Sequence, residues 1–219
     1  SGKSTVSSLL ARRLGLKLVD TGAIYRCVAL AAQRHGVSPE QTTDICSLVK
    51  SLDIDFAFDE VDNRVEDDNR DNGHNRNEDH SRKVSHNRVL LNGEDVSSSI
   101  RSSTIAQAAS QFAAVPEVRS QLLTLQRQLA ARSGSVVEGR DIGTVVCPDA
   151  SFKFYLDASP HERARRRALE LDARGETVDI EQLTKEIEQR DRRDSSRAIA
   201  PLMPADDAII IDSTHMEAH

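Results

Sequence analysis

Ser1-Gly2-Lys3-Ser4-Thr5 has the residue types of the second half of a phosphate-binding loop, G-x-x-x-x-G-K-[ST]. Successive backbone N–H groups that enter a helix make a nest for an anion, and the helix N-terminus adds partial positive charge. In that chemistry Lys3 reaches the β- and γ-phosphates of a nucleoside triphosphate and the Ser4 hydroxyl sits on Mg²⁺, with Ser1, Gly2 and Thr5 completing the loop. The same five residues also fit a Ser/Thr helix N-cap beside a chance Gly-Lys, so the motif does not decide alone.

Arginines recur where an anion reader needs them. Arg26 follows Asp20-Thr21-Gly22 on a predicted helix, and Arg140 follows a predicted strand. Arg190, Asp194 and Arg197 share a helical face if the helix continues that far. Arginine grips phosphate oxygens with a planar fork that lysine cannot copy. Singly, each also reads as a surface charge. Arg140 differs: it stands beside Asp141 at the carboxyl end of a predicted central strand, where open α/β sheets bind ligands. Pro160-His161-Glu162-Arg163-Ala164-Arg165-Arg166-Arg167 reads either as a solvated basic helix face or as a mobile lid. As a lid, Arg163 and Arg167 would bring charge onto a transferring phosphoryl group.

The elements that must position these groups alternate between helix and strand. Val6, Leu9, Leu10 and Leu14 recur at helical spacing up to Gly15. Leu16 to Val19 reads as a buried strand, and a helix through Tyr25, Val28, Ala29 and Ala32 closes near Gly36. Ser38-Pro39-Glu40 is expected to start the next helix, with Ile45, Leu48, Val49 and Leu52 on one face. Residues 53–100 break this rhythm. Asp53 to Phe58 and Arg88 to Leu91 read as strands, Asn92-Gly93 as a tight turn, and 59–87 as a solvated polar loop too poor in apolar residues to order itself. His74, His80 and His86 lie in that loop at a spacing of six that suits neither a helical face nor a zinc site. Helices are expected at Thr104–Ala114, Glu117–Arg132, Ser159 to about Gly175, and Ile180–Arg193. Strands are expected at Ser135–Val137 and Phe152–Leu156, with a last buried one at Ala208–Ile211.

Bulk properties narrow the function. The chain has 219 residues, enough for one domain with a small insertion, and a net charge of −6. That charge and an aromatic content of 3% argue against a nucleic-acid binder. Three scattered cysteines suggest free thiols in a reducing compartment. No apolar run approaches the roughly 20 residues of a membrane span.

Collinear blocks over almost the whole chain resemble the bacterial cytidylate (CMP) kinases. They are Asp20-Thr21-Gly22-Ala23-Ile24-Tyr25-Arg26, Leu91 to Val96, Glu138-Gly139-Arg140-Asp141-Ile142-Gly143-Thr144, and Arg190 to Leu202 with its R-D-x-x-D-x-x-R spacing. The resemblance implies an α/β fold: a three-layer P-loop core with a parallel sheet at 1–52 and 101–219, a lid at about 158–176, and a small β-containing NMP-binding insertion at 53–100. It implies an ATP-dependent phosphotransferase acting on CMP or dCMP, cytoplasmic and monomeric, with Mg²⁺ and without nucleic-acid or membrane partners. By resemblance, Thr21, Arg26, Arg140 and Arg197 hold the CMP phosphate and its surroundings. Ser110, Arg119 and Asp141 read cytosine, Arg190 and Asp194 contact the sugar, and Tyr25 packs beside the nucleotide. Lys3, Arg140, Arg163 and Arg167 would be catalytic, and Arg163 would also touch ATP. The resemblance further implies a strand and glycines ahead of Ser1 and a helix after Asp212-Ser213-Thr214. On that expectation the sequence is an internal piece of a longer chain, with sheet edges left open. A small P-loop kinase for UMP, AMP or a metabolite, a non-catalytic nucleotide-binding module and an arginine-rich RNA binder are the rival readings.

Overall fold

A computed structural model describes residues 1–57, 88–132, 134–173, 175–176, 178–197 and 199–217. The polar loop expected at 59–87, its histidines and Phe58 lie outside these residues. In chain order the elements are α1 (Lys3–Leu14), β1 (Lys17–Asp20), α2 (Thr21–His35), α3 (Thr42–Ser51), β2 (Ile54–Ala57), β3 (Arg88–Leu91) and β4 (Glu94–Asp95). They continue with α4 (Ser103–Phe112), α5 (Pro116–Ala131), β5 (Ser135–Glu138), β6 (Phe154–Asp157), α6 (Pro160–Asp172), α7 (Ile180–Ser195) and β7 (Ile209–Asp212).

Local chemistry explains the boundaries. Asp20 ends β1 and caps α2 at once, accepting a hydrogen bond from Ala23 N at 3.2 Å, so strand passes into helix without a loop. Ser159 caps α6 by accepting from Glu162 N, with Pro160 in the first helical position, where its missing N–H costs nothing. Asn92 and Gly93 both have positive φ, 52° and 81°, as a two-residue hairpin between β3 and β4 requires.

β1 and β5 pair in parallel with Asp20 opposite Glu138, and β6 and β7 pair in parallel with Asp157 opposite Asp212. Among the described residues the parallel strands thus form two separate pairs, and β2-β3-β4 form an antiparallel sheet of their own. The core centres on α2, whose Ile24, Cys27, Val28 and Ala32 are fully enclosed. Ile45 and Val49 of α3, Ile105 and Phe112 of α4, Val118, Leu122 and Leu129 of α5, and Ile54, Phe56, Val89 and Leu91 of the antiparallel sheet pack around it. Each such side chain contributes about 1.5–3 kcal/mol by leaving water.

Two expectations are corrected. The third helix begins at Thr42, because Ser38 to Gln41 closes a turn of its own: Gln41 N donates to Ser38 O and the Gln41 Oε1 accepts from Ser38 N. The last strand is not buried, since Ile209 and Ile210 are 57% and 65% exposed while α6 and α7 pack on each other. The apolar stripe of α1 also faces outward, with Val6, Leu10 and Leu14 exposed and Ala11 its buried residue.

Candidate active site

The parallel register of β1 and β5 brings Asp20 and Glu138 side by side at the carboxyl ends of the strands. Everything chemically active gathers beyond that edge. Gly2, with φ 74°, leads into α1, and Ser4 at its first turn donates its hydroxyl to Glu138 Oε1 at 2.6 Å. Glu138 is 9% exposed, and its second oxygen, Oε2, has no hydrogen-bond partner among the described residues. Burial, and then the neighbouring Asp20, push the Glu138 carboxyl above its ordinary pKa. Lys3 is held the other way: burial and then Arg140 lower its ammonium pKa, against the attraction of Glu138.

The start of α2 is locked to β5. Thr21 Oγ1 donates to Glu138 O at 2.9 Å, and the next residue must be glycine. A Cβ on Gly139 would lie 2.3 Å from that hydroxyl oxygen. Asp20 also takes a hydrogen bond from Arg26 Nη2 at 2.7 Å, which turns the Arg26 guanidinium toward the strand ends.

Next comes an arginine cluster organised by one carboxylate. Asp194 of α7 is 1% exposed and accepts from Arg140 Nη1 on one oxygen and Arg197 Nη2 on the other, with Arg190 Nε 4.0 Å away. Desolvation, followed by repulsion from Arg140, pushes the Arg190 guanidinium down although its side chain is 45% exposed. Arg197 is lowered too, by burial first. Lys3, Arg26, Arg140, Arg163, Arg190 and Arg197 thus face Asp20, Asp191, Asp194 and a Glu138 that resists ionisation, so the cluster carries excess positive charge and attracts anions.

The far end of the same pocket is uncharged overall. Arg119 of α5 donates through Nη2 to Asp141 Oδ2 and through Nη1 to Ala113 O at 3.3 Å. Its guanidinium carbon lies 5.8 Å from the centre of the Tyr25 ring. Arg119 and Asp141 are 8% and 7% exposed, and Ser110 Oγ beside them has no partner among the described residues. Thr21, Tyr25, Arg26, Ser110, Arg119, Arg140, Asp141, Arg190, Asp194 and Arg197 line one pocket. A second cavity, of about 450 Å³, opens between Gly2 and Thr5, the α6 residues Glu162, Arg165 and Arg166, and residues 214–217. Arg166 closes its wall, with Nη2 donating to Ser213 O at 2.7 Å and Met216 O at 3.0 Å.

Of the expected site residues, Arg167 stands apart, paired at 2.9 Å with Glu170 of its own helix. Arg163 joins the cluster through Asp191 at 2.5 Å. Sequence reasoning gave no role to Glu138, Asp20 or Asp191. All three stand inside the motif blocks, but only the strand register and the approach of α6 to α7 show what they touch.

A family model described as cytidylate kinase fits residues 1–219. A cytidylate kinase of Pseudomonas paraeruginosa is 46% identical over 217 residues, covering 99% of this chain and 85% of that protein. Cytidylate kinases of a Geobacter species and of Shewanella halifaxensis are each 44% identical over 216 residues, covering 99% of this chain and 82% and 84% of theirs. With a family model that fits end to end and relatives this similar over nearly its whole length, the chain belongs to the cytidylate kinase family.

Proposed function

We propose that this chain transfers the γ-phosphoryl group of ATP to CMP or dCMP, giving ADP and CDP or dCDP, by the following division of labour. The observation that carries this reading is a single pocket with two unlike ends. One end is the buried Arg119–Asp141 pair over Tyr25, and the other is the Arg140, Arg190 and Arg197 cluster around Asp194.

At the first end, Asp141 accepts from the exocyclic amine of cytosine. Arg119 occupies Oδ2 only, and a carboxylate has acceptor capacity to spare. Uracil presents a carbonyl at that place and would leave buried groups unpaired. Ser110 adds a hydroxyl that has no partner among the described residues, and Tyr25 flanks the nucleotide. At the other end, Thr21, Arg26, Arg140 and Arg197 hold the monophosphate while Arg190 and Asp194 meet the sugar.

Across the strand ends, Ser1 to Thr5 cradle the donor phosphates, with Lys3 on the β- and γ-oxygens, and the 450 Å³ cavity lined by Thr5 and Arg166 suits the donor nucleoside. The Ser4 hydroxyl and the unpartnered Glu138 Oε2 are a hard-oxygen pair suited to Mg²⁺, which takes one or two protein oxygens and completes its shell with phosphate and water. Bound there, Mg²⁺ would neutralise charge on the donor phosphates.

The attacking oxygen belongs to a phosphate already mostly ionised at neutral pH, so no strong base is required. Lys3, Arg140 and Arg163 position the two phosphates and offset the charge that spreads over the equatorial oxygens in flight. Arg167, tied to Glu170, has no task in this scheme. Residues 158–176 would serve as the lid and 53–100 as the NMP-binding insertion. The free cysteines and the nucleotide substrates suit a reducing, cytoplasmic setting. Among the described residues no helix is long and apolar enough to cross a membrane.

The test is ADP release by the full-length gene product with Mg·ATP and a panel of CMP, dCMP, UMP and AMP. CMP or dCMP should be turned over well above UMP and AMP. Binding of ATP and CMP without turnover would favour a non-catalytic nucleotide module, and preference for UMP or AMP would overturn the base assignment.

A further inference from the structure

Asp191 has no task in the scheme above, although it lies between two residues that do. Its Oδ2 stands 2.5 Å from Arg163 Nη2 on α6, and its Oδ1 stands 3.7 Å from Arg140 Nη1 beyond β5. Arg163 is steadied further by its Nε, which donates to Ala158 O at 2.9 Å, and Arg140 by Asp194 on its other side. The carboxylate therefore joins a cation on the donor side of the site to one on the acceptor side. Without it, two like charges would face each other across a short gap, and both long side chains would regain rotamer freedom.

We infer that Asp191 is a positioning residue for phosphoryl transfer, setting the guanidinium groups of Arg163 and Arg140 so that both meet the transferring group. The inference rests on the kinase reading. Exposure separates this role from a structural one. The side chains of Arg140, Arg163 and Asp191 are 28%, 21% and 24% exposed, so water still reaches them, and such a pair adds less to stability than one sealed in the core. Misplacing a catalytic cation by an ångström, in contrast, costs about 100-fold in rate. Loss of the carboxylate should thus slow the chemistry without loosening the fold.

The experiment is a double-mutant cycle in the full-length gene product, using Asp191→Asn, Arg163→Ala and both together. Steady-state kinetics with CMP and Mg·ATP would be measured beside thermal melts. Asp191→Asn should lower kcat by about 10- to 100-fold, with both KM values within about threefold and an unchanged melting temperature. The double variant should be slower than Arg163→Ala alone, but by clearly less than the product of the two single losses, since Asp191 acts partly through that arginine and partly through Arg140, and Asp191→Glu should restore part of the rate. Additive losses in the double variant, an unchanged kcat, or a melting temperature that falls with the activity would overturn the inference. If the wild-type protein itself fails to phosphorylate CMP, the kinase reading fails first and this inference falls with it.

Discussion

Replacing Asp141 by Asn tests base recognition with little change in volume. In the structure Asp141 Oδ2 accepts from Arg119 Nη2, and both residues are more than nine-tenths buried. In the Asn variant the amide oxygen turns toward Arg119, because that guanidinium can only donate. The NH₂ group is then left facing the base, where it opposes the cytosine amine and suits the uracil carbonyl. Leaving one buried polar group unmatched costs about 1–3 kcal/mol, and more where a charge is involved. Losing the cytosine contact and gaining one to uracil change the CMP-to-UMP ratio in the same direction. Together they amount to about 3–4 kcal/mol, or 10²- to 10³-fold at about 1.4 kcal/mol per decade. The assay is kcat/KM for CMP and for UMP in the wild type and in Asp141→Asn, with thermal melts of each. A parallel Asp141→Ala should lose about 3–5 kcal/mol of stability by leaving Arg119 buried and unpaired, whereas Asn should lose less. Equal losses for CMP and UMP in the Asn variant would refute the reasoning, because a carboxylate that only supports Arg119 would affect both bases alike.

Asp194→Asn keeps the shape of the cluster but removes the charge that Arg140, Arg190 and Arg197 share, and should cost about 3–5 kcal/mol. Sulfate should raise the melting temperature of this variant more than that of the wild type, and equal gains would count against an anion site there. Glu138→Gln turns on the raised pKa of a buried carboxyl. The folded state holds that proton more tightly than the unfolded state, whose ordinary value is 4.5. Its stability therefore falls as pH rises above that value through the folded pKa, and stays lower beyond it. The Gln variant should accordingly melt higher than the ligand-free wild type near neutral pH, converge with it below about pH 4.5, and yet lose Mg²⁺-supported ADP release. A lower melting temperature at neutral pH would defeat the desolvation argument.

Much of the local structure was legible from the residues themselves. Gly36 after His35 closes α2, and an apolar stripe of Val118, Leu122 and Leu129 marks α5, because caps and periodicity act within a few residues, whereas the capping of α2 by Asp20 showed only in the structure. Where a nearby side chain satisfied the backbone differently, as Gln41 does for Ser38, the boundary shifted. Burial was less legible: Ile209 and Ile210 read as core, yet what covers a strand depends on distant elements.

The sequence by itself determined a helix start with the residue types of an anion nest and a set of arginines suited to phosphate, and its collinear blocks carried the resemblance to the cytidylate kinases. Only the tertiary structure decided which charges meet. Arg119 reaches Asp141 across 22 residues, Arg140 reaches Asp194 across 54, and Ser4 reaches Glu138 across 134. The first and last of these follow from the packing of α5 and α1 against β5, which the parallel register with β1 holds in place. Such long-range geometry depends on the whole core at once, and no local pattern along the chain encodes it.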